Sequence, residues 1–290
     1  MNGTGLPLVT PFDDEGDVDH AALAELVTWV EERGVDFLVP CGSNSEAPLL
    51  TAGERTAVVE TVADRASVPV LAGTGAEGRR ETLELARGAA AAGADGALVV
   101  TPYYFDHGSD ALETYYRAVA DESPVPVYLY SVPAYTGTRL SPEVVGALAD
   151  HANVAGMKDS SGDLSLFQRY RDRTPEEFDL FVGAGGVYAA ALDAGADGGV
   201  LALANAVPEL AARVFDVHDE DPARARATNR ACVELNHAIT AGFGVPGLKA
   251  AMRSRGAPAG RVRSPHRPVD EETQEELAGL VDQALETAPE

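Results

Sequence analysis

The chain has 290 residues, 45% of them hydrophobic, and a formal charge of −24, which is enough length to bury a sizeable core. No basic run is present to grip phosphate, which argues against a nucleic-acid partner or an anionic membrane surface. No apolar run approaches the ~18 residues of a membrane span and no signal peptide precedes the first apolar segment, so a cytoplasmic protein is expected.

In chain order, short β-rich runs alternate with segments of helical period. The first strand is expected over residues 6–11 (LPLVTP) and is followed by a helical pattern over 18–33. Strands over 37–41 (FLVPC) and 69–72 (PVLA) precede helices over 51–65 and 77–92. Further strands are expected at 97–101, 125–130, 154–158, 180–183 and 199–203. The phrases ERGVDFLVP, AAGADGALVV and DAGADGGVLAL repeat one corner, a helix closed by glycine that opens into a strand. Eight nearly continuously apolar strands, each followed by a helix, predict an α/β fold, a (β/α)8 TIM barrel over residues 1–220. Residues 221–290 are expected to add a C-terminal helical extension within the same structural unit, with helices over 222–241 and 271–287. Residues 253–269, rich in Gly, Pro and Arg, read as a linker.

A barrel of this kind builds its site from the loops after the strands, and several strand ends carry chemistry. Lysine is scarce: of 22 basic residues only Lys158 and Lys249 are lysines. Lys158 ends the sixth strand in VAGMKDSSGD. Either it is a nucleophilic amine that attacks a ketone to form a Schiff base, which an always-protonated arginine cannot do, or it pairs with its neighbour Asp159. Lys249, at a helix start in GVPGLKAAM, reads as a surface or packing residue. Tyr130 closes the fifth strand and is either a proton shuttle or an ordinary strand-end tyrosine. PCGSNSEAP offers Ser43 and Asn44 on a Gly-led turn, neutral donors suited to a carboxylate. GAGG from Gly183 follows the seventh strand, where many barrels bind phosphate, but no Lys or Arg lies between Arg173 and Arg213. GTGAEG at 73–78 is a literal G-x-G-x-x-G, yet the next strand lacks the acidic residue a dinucleotide ribose needs, and a barrel loop is the better reading. Six scattered histidines and two cysteines, Cys41 and Cys232, supply neither a zinc site nor a disulfide framework. Acidic excess spread along a lysine-poor chain suggests a protein that stays soluble in a very salty cytoplasm.

Together, GSNSE, TPYY, YSVPAYTG, GMKDSSGD and FGVPGLK make the chain, over residues 8–252, resemble the pyruvate-dependent class I aldolase superfamily that includes dihydrodipicolinate synthase and N-acetylneuraminate lyase. It is most similar to 4-hydroxy-2-oxoglutarate aldolases, with archaeal 2-keto-3-deoxygluconate aldolases nearby. The resemblance implies a Schiff-base lysine at Lys158, a proton-relay tyrosine at Tyr130, and Ser43 with Asn44 on the keto-acid carboxylate. It also implies a Tyr104 that enters the neighbouring subunit's site, substrate contacts at Ser160 and Gly183, no metal or organic cofactor, and a homotetramer built as a dimer of dimers. Its partners would be a small 2-keto acid and an aldehyde. Two departures stand out. Ser43, Asn44 and Ser45 replace the Thr-Thr-Gly of dihydrodipicolinate synthases, and Tyr135 stands where those enzymes carry an arginine for the aldehyde's carboxylate. Pyruvate-releasing cleavage is therefore expected ahead of the alternatives, dihydrodipicolinate synthesis or a non-catalytic keto-acid sensor.

Overall fold

Eight strands run parallel: β1 (Gly3–Leu6), β2 (Phe37–Leu38), β3 (Leu71–Gly73), β4 (Gly96–Val100), β5 (Val127–Ser131), β6 (Val154–Asp159), β7 (Asp179–Val182) and β8 (Gly198–Val200). They pair in the order β2-β1-β8-β7-β6-β5-β4-β3. The two ends of that order meet through a parallel bridge between Leu38 and Val70 and through Leu38 N–H to Pro69 O (2.9 Å) and Gly73 N–H to Pro40 O (2.8 Å). The ring closes there by a thin seam, because Pro40 and Pro69 have no N–H to give it. The computed structural model describes residues 1–289, and the (β/α)8 barrel expected from the eight apolar runs is its fold.

Alternation along each strand divides the core in two. Phe37, Leu71, Leu98, Tyr128, Phe181 and Val200 cluster within the ring of strands, with Phe37 and Phe181 ring centroids 5.1 Å apart. The opposite strand faces, such as Val99, Leu129 and Met157, pack under the helices. Helix starts follow from local chemistry: Asp19 caps His20–Glu31, and Thr51 with Glu54 forms a reciprocal capping box on Ala52–Arg65. The final helix, Glu271–Thr287, buries Leu277, Val281 and Ala284 and packs on Gly244–Ser254 and Pro222–Ala231.

Four expectations differ from what the chain does. The first strand starts at Gly3 and ends at Leu6 rather than running over residues 6–11, because Pro7 and Pro11 cannot donate, whereas Gly3, Thr4 and Gly5 pair with Gly198, Gly199 and Val200. The eighth strand stops at Val200, since Leu203–Ala206 turns helical. The helix expected over 222–241 breaks into Pro222–Ala231 and Val233–His237 and ends in a π-helical turn, Ala238–Gly242, closed by Phe243 N–H to Ala238 O at 2.7 Å. Residues 253–269 are not a linker. They form a strap over the barrel mouth, where Arg261 N–H donates to Phe12 O (2.8 Å) and the Arg263 guanidinium donates to Gly16 O, Leu49 O and Glu54 Oε1.

The strap's ion pair gives a pH-dependent contribution. The hydrogen bond from Arg263, with help from Thr51, holds the Glu54 carboxyl down to about 2 from its ordinary 4.5. A depressed carboxyl stabilises the fold fully above about pH 4.5 and loses that contribution as pH falls toward 2. Glu54→Gln should therefore cost about 1 kcal/mol at pH 7, discounted for partial solvent exposure. Urea midpoints of wild type and variant should converge as pH approaches 2, and a gap that persisted unchanged into acid would refute the assignment.

Candidate active site

Neighbouring strands β5 and β6 set the centre. Their register places Tyr130 beside Lys158, and both side chains point into the ring, so the Lys158 amine lies 4.4 Å from the Tyr130 ring centroid. Asp159, one residue on, points to the opposite face. It accepts from the Ser161 hydroxyl (2.6 Å) and N–H (3.4 Å) instead. Lys158 is 5% exposed and, among the described residues, has no carboxylate within ion-pair distance, so the salt-bridge alternative for it is not realised. Gly183 ends up against it from β7: a Cβ there would lie 2.9 Å from Lys158 Cε and 1.9 Å from Ser160 Oγ. Only a glycine lets the amine's chain and the serine hydroxyl sit this close.

Above this pair opens a cavity of about 600 Å³. Ser43 and Tyr130 share its wall, their hydroxyl oxygens 3.5 Å apart, while Lys158 is not among the lining residues and holds its amine over the tyrosine ring. The loop that carries Ser43 is bracketed by two non-glycine residues in left-handed conformation, Cys41 (φ 58) and Glu46 (φ 56), a strain that persists only where surroundings over-determine it. Ser45 supplies part of that constraint. Its buried hydroxyl donates to Leu8 O and accepts from Gly42 N–H, and its carbonyl accepts from Thr10 Oγ1 (2.8 Å). Burial pushes the Cys41 thiol up to about 12, so it stays protonated and is no rival nucleophile at neutral pH. Gly73 of GTGAEG explains itself by packing, since a Cβ there would meet Cys41 O at 2.0 Å.

The remaining expected residues are spread more widely. Asn44 is half-buried beside Ser43 and outside the cavity lining. Tyr104 is 76% exposed, with its ring edge-on to Phe105 and its N–H donating to Glu77 (2.9 Å). Within one chain it is not part of the cavity wall. Tyr103, Tyr104, Phe105 and Tyr135 form the exposed large apolar side chains of the surface. Tyr135 and Tyr103 also reach the cavity, as does the Phe243–Pro246 segment that the π-helical turn projects into it.

Sequence reasoning missed the anchor beneath the loop. Lys249, read as a surface or packing residue, is completely buried with Glu46. Its ammonium donates to Glu46 Oε1 (2.7 Å), Thr10 O (2.6 Å) and Arg261 O (2.6 Å). The other oxygen of Glu46 accepts from Arg263 N–H (3.0 Å) and meets His266 Nδ1 at 2.8 Å. Glu46 stands in GSNSE and could have been suspected, but nothing local marks His266, 220 residues away.

Comparison with known proteins adds context. Residues 1–284 match the model of the dihydrodipicolinate synthetase family. An uncharacterized DapA-like lyase of Halobacterium salinarum is 40% identical, covering 98% of this chain and 95% of that protein. A protein named 4-hydroxy-tetrahydrodipicolinate synthase 1, from Streptomyces coelicolor, is 41% identical and covers 94% of this chain and 90% of its own length. Among solved structures, YagE of Escherichia coli K12, a prophage protein of the dihydrodipicolinic acid synthase family determined in complex with pyruvate, superimposes with a TM-score of 0.92 at 32% identity over 98% of this chain and 99% of its own.

The anchor carries its own expectation. Burial pushes the Lys249 amine down to about 8, which still leaves it an ammonium at neutral pH, with all three protons donated. Removing one member of a buried pair strands the other, so Lys249→Ala should cost about 3–5 kcal/mol in urea unfolding. Lys249→Arg should also destabilise, because a planar guanidinium cannot replace three tetrahedral donors in this space. Wild-type stability in both variants would show that the pair is dispensable.

Proposed function

Because the chain belongs to the dihydrodipicolinate synthetase family, whose members are pyruvate-dependent carbon–carbon lyases, we propose that it is a Schiff-base aldolase that reversibly cleaves a 2-keto-4-hydroxy acid to pyruvate and an aldehyde. The observation that carries this reading is the Lys158 amine, without an ion-pair partner among the described residues, 4.4 Å from the Tyr130 ring and packed against Gly183. Binding alone needs no such amine beside a tyrosine, which argues against a keto-acid sensor.

Lys158 attacks the C2 ketone, and loss of water leaves a protonated imine. That imine accepts the electron pair as the C3–C4 bond breaks. Tyr130, in contact with Ser43 at 3.5 Å, takes the C4 hydroxyl proton and returns a proton to the C3 enamine carbon. Hydrolysis of the new imine frees pyruvate and restores Lys158. The imine performs the electron withdrawal a metal or organic cofactor would otherwise supply, so neither enters the scheme. Ser43 and Asn44 hold the C1 carboxylate by neutral donors, with Ser160 and Gly183 against the reacting carbons.

In this reading Tyr104 completes the proton relay from a second copy of the chain. The exposed aromatic group of Tyr103, Tyr104, Phe105 and Tyr135 supports a dimer through this face and a homotetramer built from two dimers. The charge of −24 with only two lysines supports work in a cytoplasm of high ionic strength. A second reading, condensation of pyruvate with aspartate semialdehyde, is favoured by the 41% identity to the Streptomyces coelicolor synthase. Against it, Tyr135 offers no cation for the semialdehyde's carboxylate.

Borohydride reduction in the presence of pyruvate should leave a stable adduct on Lys158, absent in Lys158→Ala and Lys158→Arg. Tyr130→Phe should still form the adduct while losing roughly 100-fold or more in kcat. An untrapped wild-type enzyme, or full turnover without Lys158, would end the Schiff-base proposal. Product analysis with pyruvate plus glyceraldehyde, glyoxylate or aspartate semialdehyde separates the two lyase readings.

A further inference from the structure

Glu77 is the acidic residue of GTGAEG, and the packing of Gly73 accounts only for the first glycine of that motif. The stem on which Glu77 stands is fixed on both sides. A Cβ on Gly75 would meet the backbone nitrogen of Val100 at 2.5 Å, so only glycine lets this loop press on the end of β4. Thr74 N–H donates to Leu98 O (2.9 Å). Ala76 N–H donates to the buried Thr82 hydroxyl (3.1 Å), which in turn meets the Tyr115 hydroxyl at 2.8 Å. Tyr115 belongs to the helix Ser109–Glu122, which begins just after the loop that follows β4.

From this stem the Glu77 carboxylate reaches across to that loop. Tyr103 N–H donates to both of its oxygens (3.1 and 3.3 Å), and Tyr104 N–H donates to Oε2 (2.9 Å). Residues 103–107 are all exposed, and among the described residues none of their other backbone N–H groups donates to the protein. No cation stands within ion-pair distance of Glu77 among the described residues, so its charge is spent on these amides. Charge-assisted bonds of this kind are stronger than bonds between neutral groups. Without them the loop backbone would have no fixed path, and the Tyr104 and Phe105 rings, edge-on with centroids 4.9 Å apart, would be free to turn in solvent.

Resting on the reading that Tyr104 acts in a second copy's site, we propose that Glu77 is a positioning residue that serves the neighbouring subunit and not its own. By gripping two successive amides it sets the direction in which Tyr104 leaves the chain. Its effect on turnover therefore appears at the Lys158 of the partner copy.

The test uses Glu77→Ala, which removes both acceptors, and Glu77→Gln, whose amide keeps one oxygen for Tyr104 N–H. Rates are compared at a protein concentration where sedimentation gives the same oligomer for every variant. In Glu77→Ala, kcat for cleavage should fall roughly tenfold or more, with KM unchanged and the pyruvate adduct on Lys158 still trapped by borohydride. Glu77→Gln should recover part of the loss. The decisive measurement is a hybrid of Glu77→Ala protomers with inactive Lys158→Ala protomers. There the surviving Lys158 receives Tyr104 from a loop whose Glu77 is intact, so turnover per Lys158 should return to the wild-type value. A hybrid as slow as Glu77→Ala alone, or wild-type kcat in both Glu77 variants while Tyr104→Phe is slow, would overturn the assignment. Should Glu77→Ala not fold, Glu77→Gln takes its place in the hybrid under the same criteria. Wild-type kcat in Tyr104→Phe would instead strike the relay reading, and absence of the wild-type adduct the aldolase reading, so the failures are distinguishable.

Discussion

The fully buried carboxylate of Glu46 is the constraint on which the mouth of this barrel depends. One oxygen takes the Lys249 ammonium, and the other takes Arg263 N–H and His266. Three remote parts of the chain, the loop after β2, the helix Gly244–Ser254 and the strap at residues 253–269, are thereby joined at a single side chain. An unpaired carboxylate could not be sunk this deep, so the loop keeps its left-handed turn at Glu46 only when all three are in place. Ser43, three residues earlier, inherits its position from that network.

Lys158 and Tyr130 are positioned differently, by sheet geometry alone. Parallel register between β5 and β6 sets Tyr130 level with Lys158, and alternation turns Asp159 away. Gly183 then lets the lysine lie flat against β7. The cavity thus has a rigid floor made by strands and a wall assembled from loops and C-terminal segments, a division between fixed side chains and adjustable ones.

Much of the floor was legible in the sequence because it is written in local pattern. Eight apolar runs, glycine-closed corners and a strand ending in lysine are all short-range signals, and strand ends are where a barrel carries its chemistry. The wall was not legible for two physical reasons. Arg261 and Arg263 sit among Gly and Pro and look like a solvated linker, yet their donors are spent on carbonyls of Phe12, Gly16 and Leu49, contacts that only the folded chain reveals. Lys249, in a helical pattern, carried no mark of its partner 203 residues away. The scarcity of lysine drew attention to Lys158 alone, whereas Lys249, read as a surface or packing residue, is the triply bonded partner of Glu46.

The strap also sets an order in time. A chain made from its N-terminus completes β1 to β8 by Val200 and only later adds Lys249, Arg263 and His266. Until then Glu46 has no counter-charge and must stay hydrated, so the loop bearing Ser43 cannot settle beside Tyr130. Lys158 is consequently part of the barrel well before the neighbouring cavity has a finished wall. On the ribosome, the cavity wall is completed only by the last segments, and a barrel still missing them holds Lys158 beside an unfinished cavity.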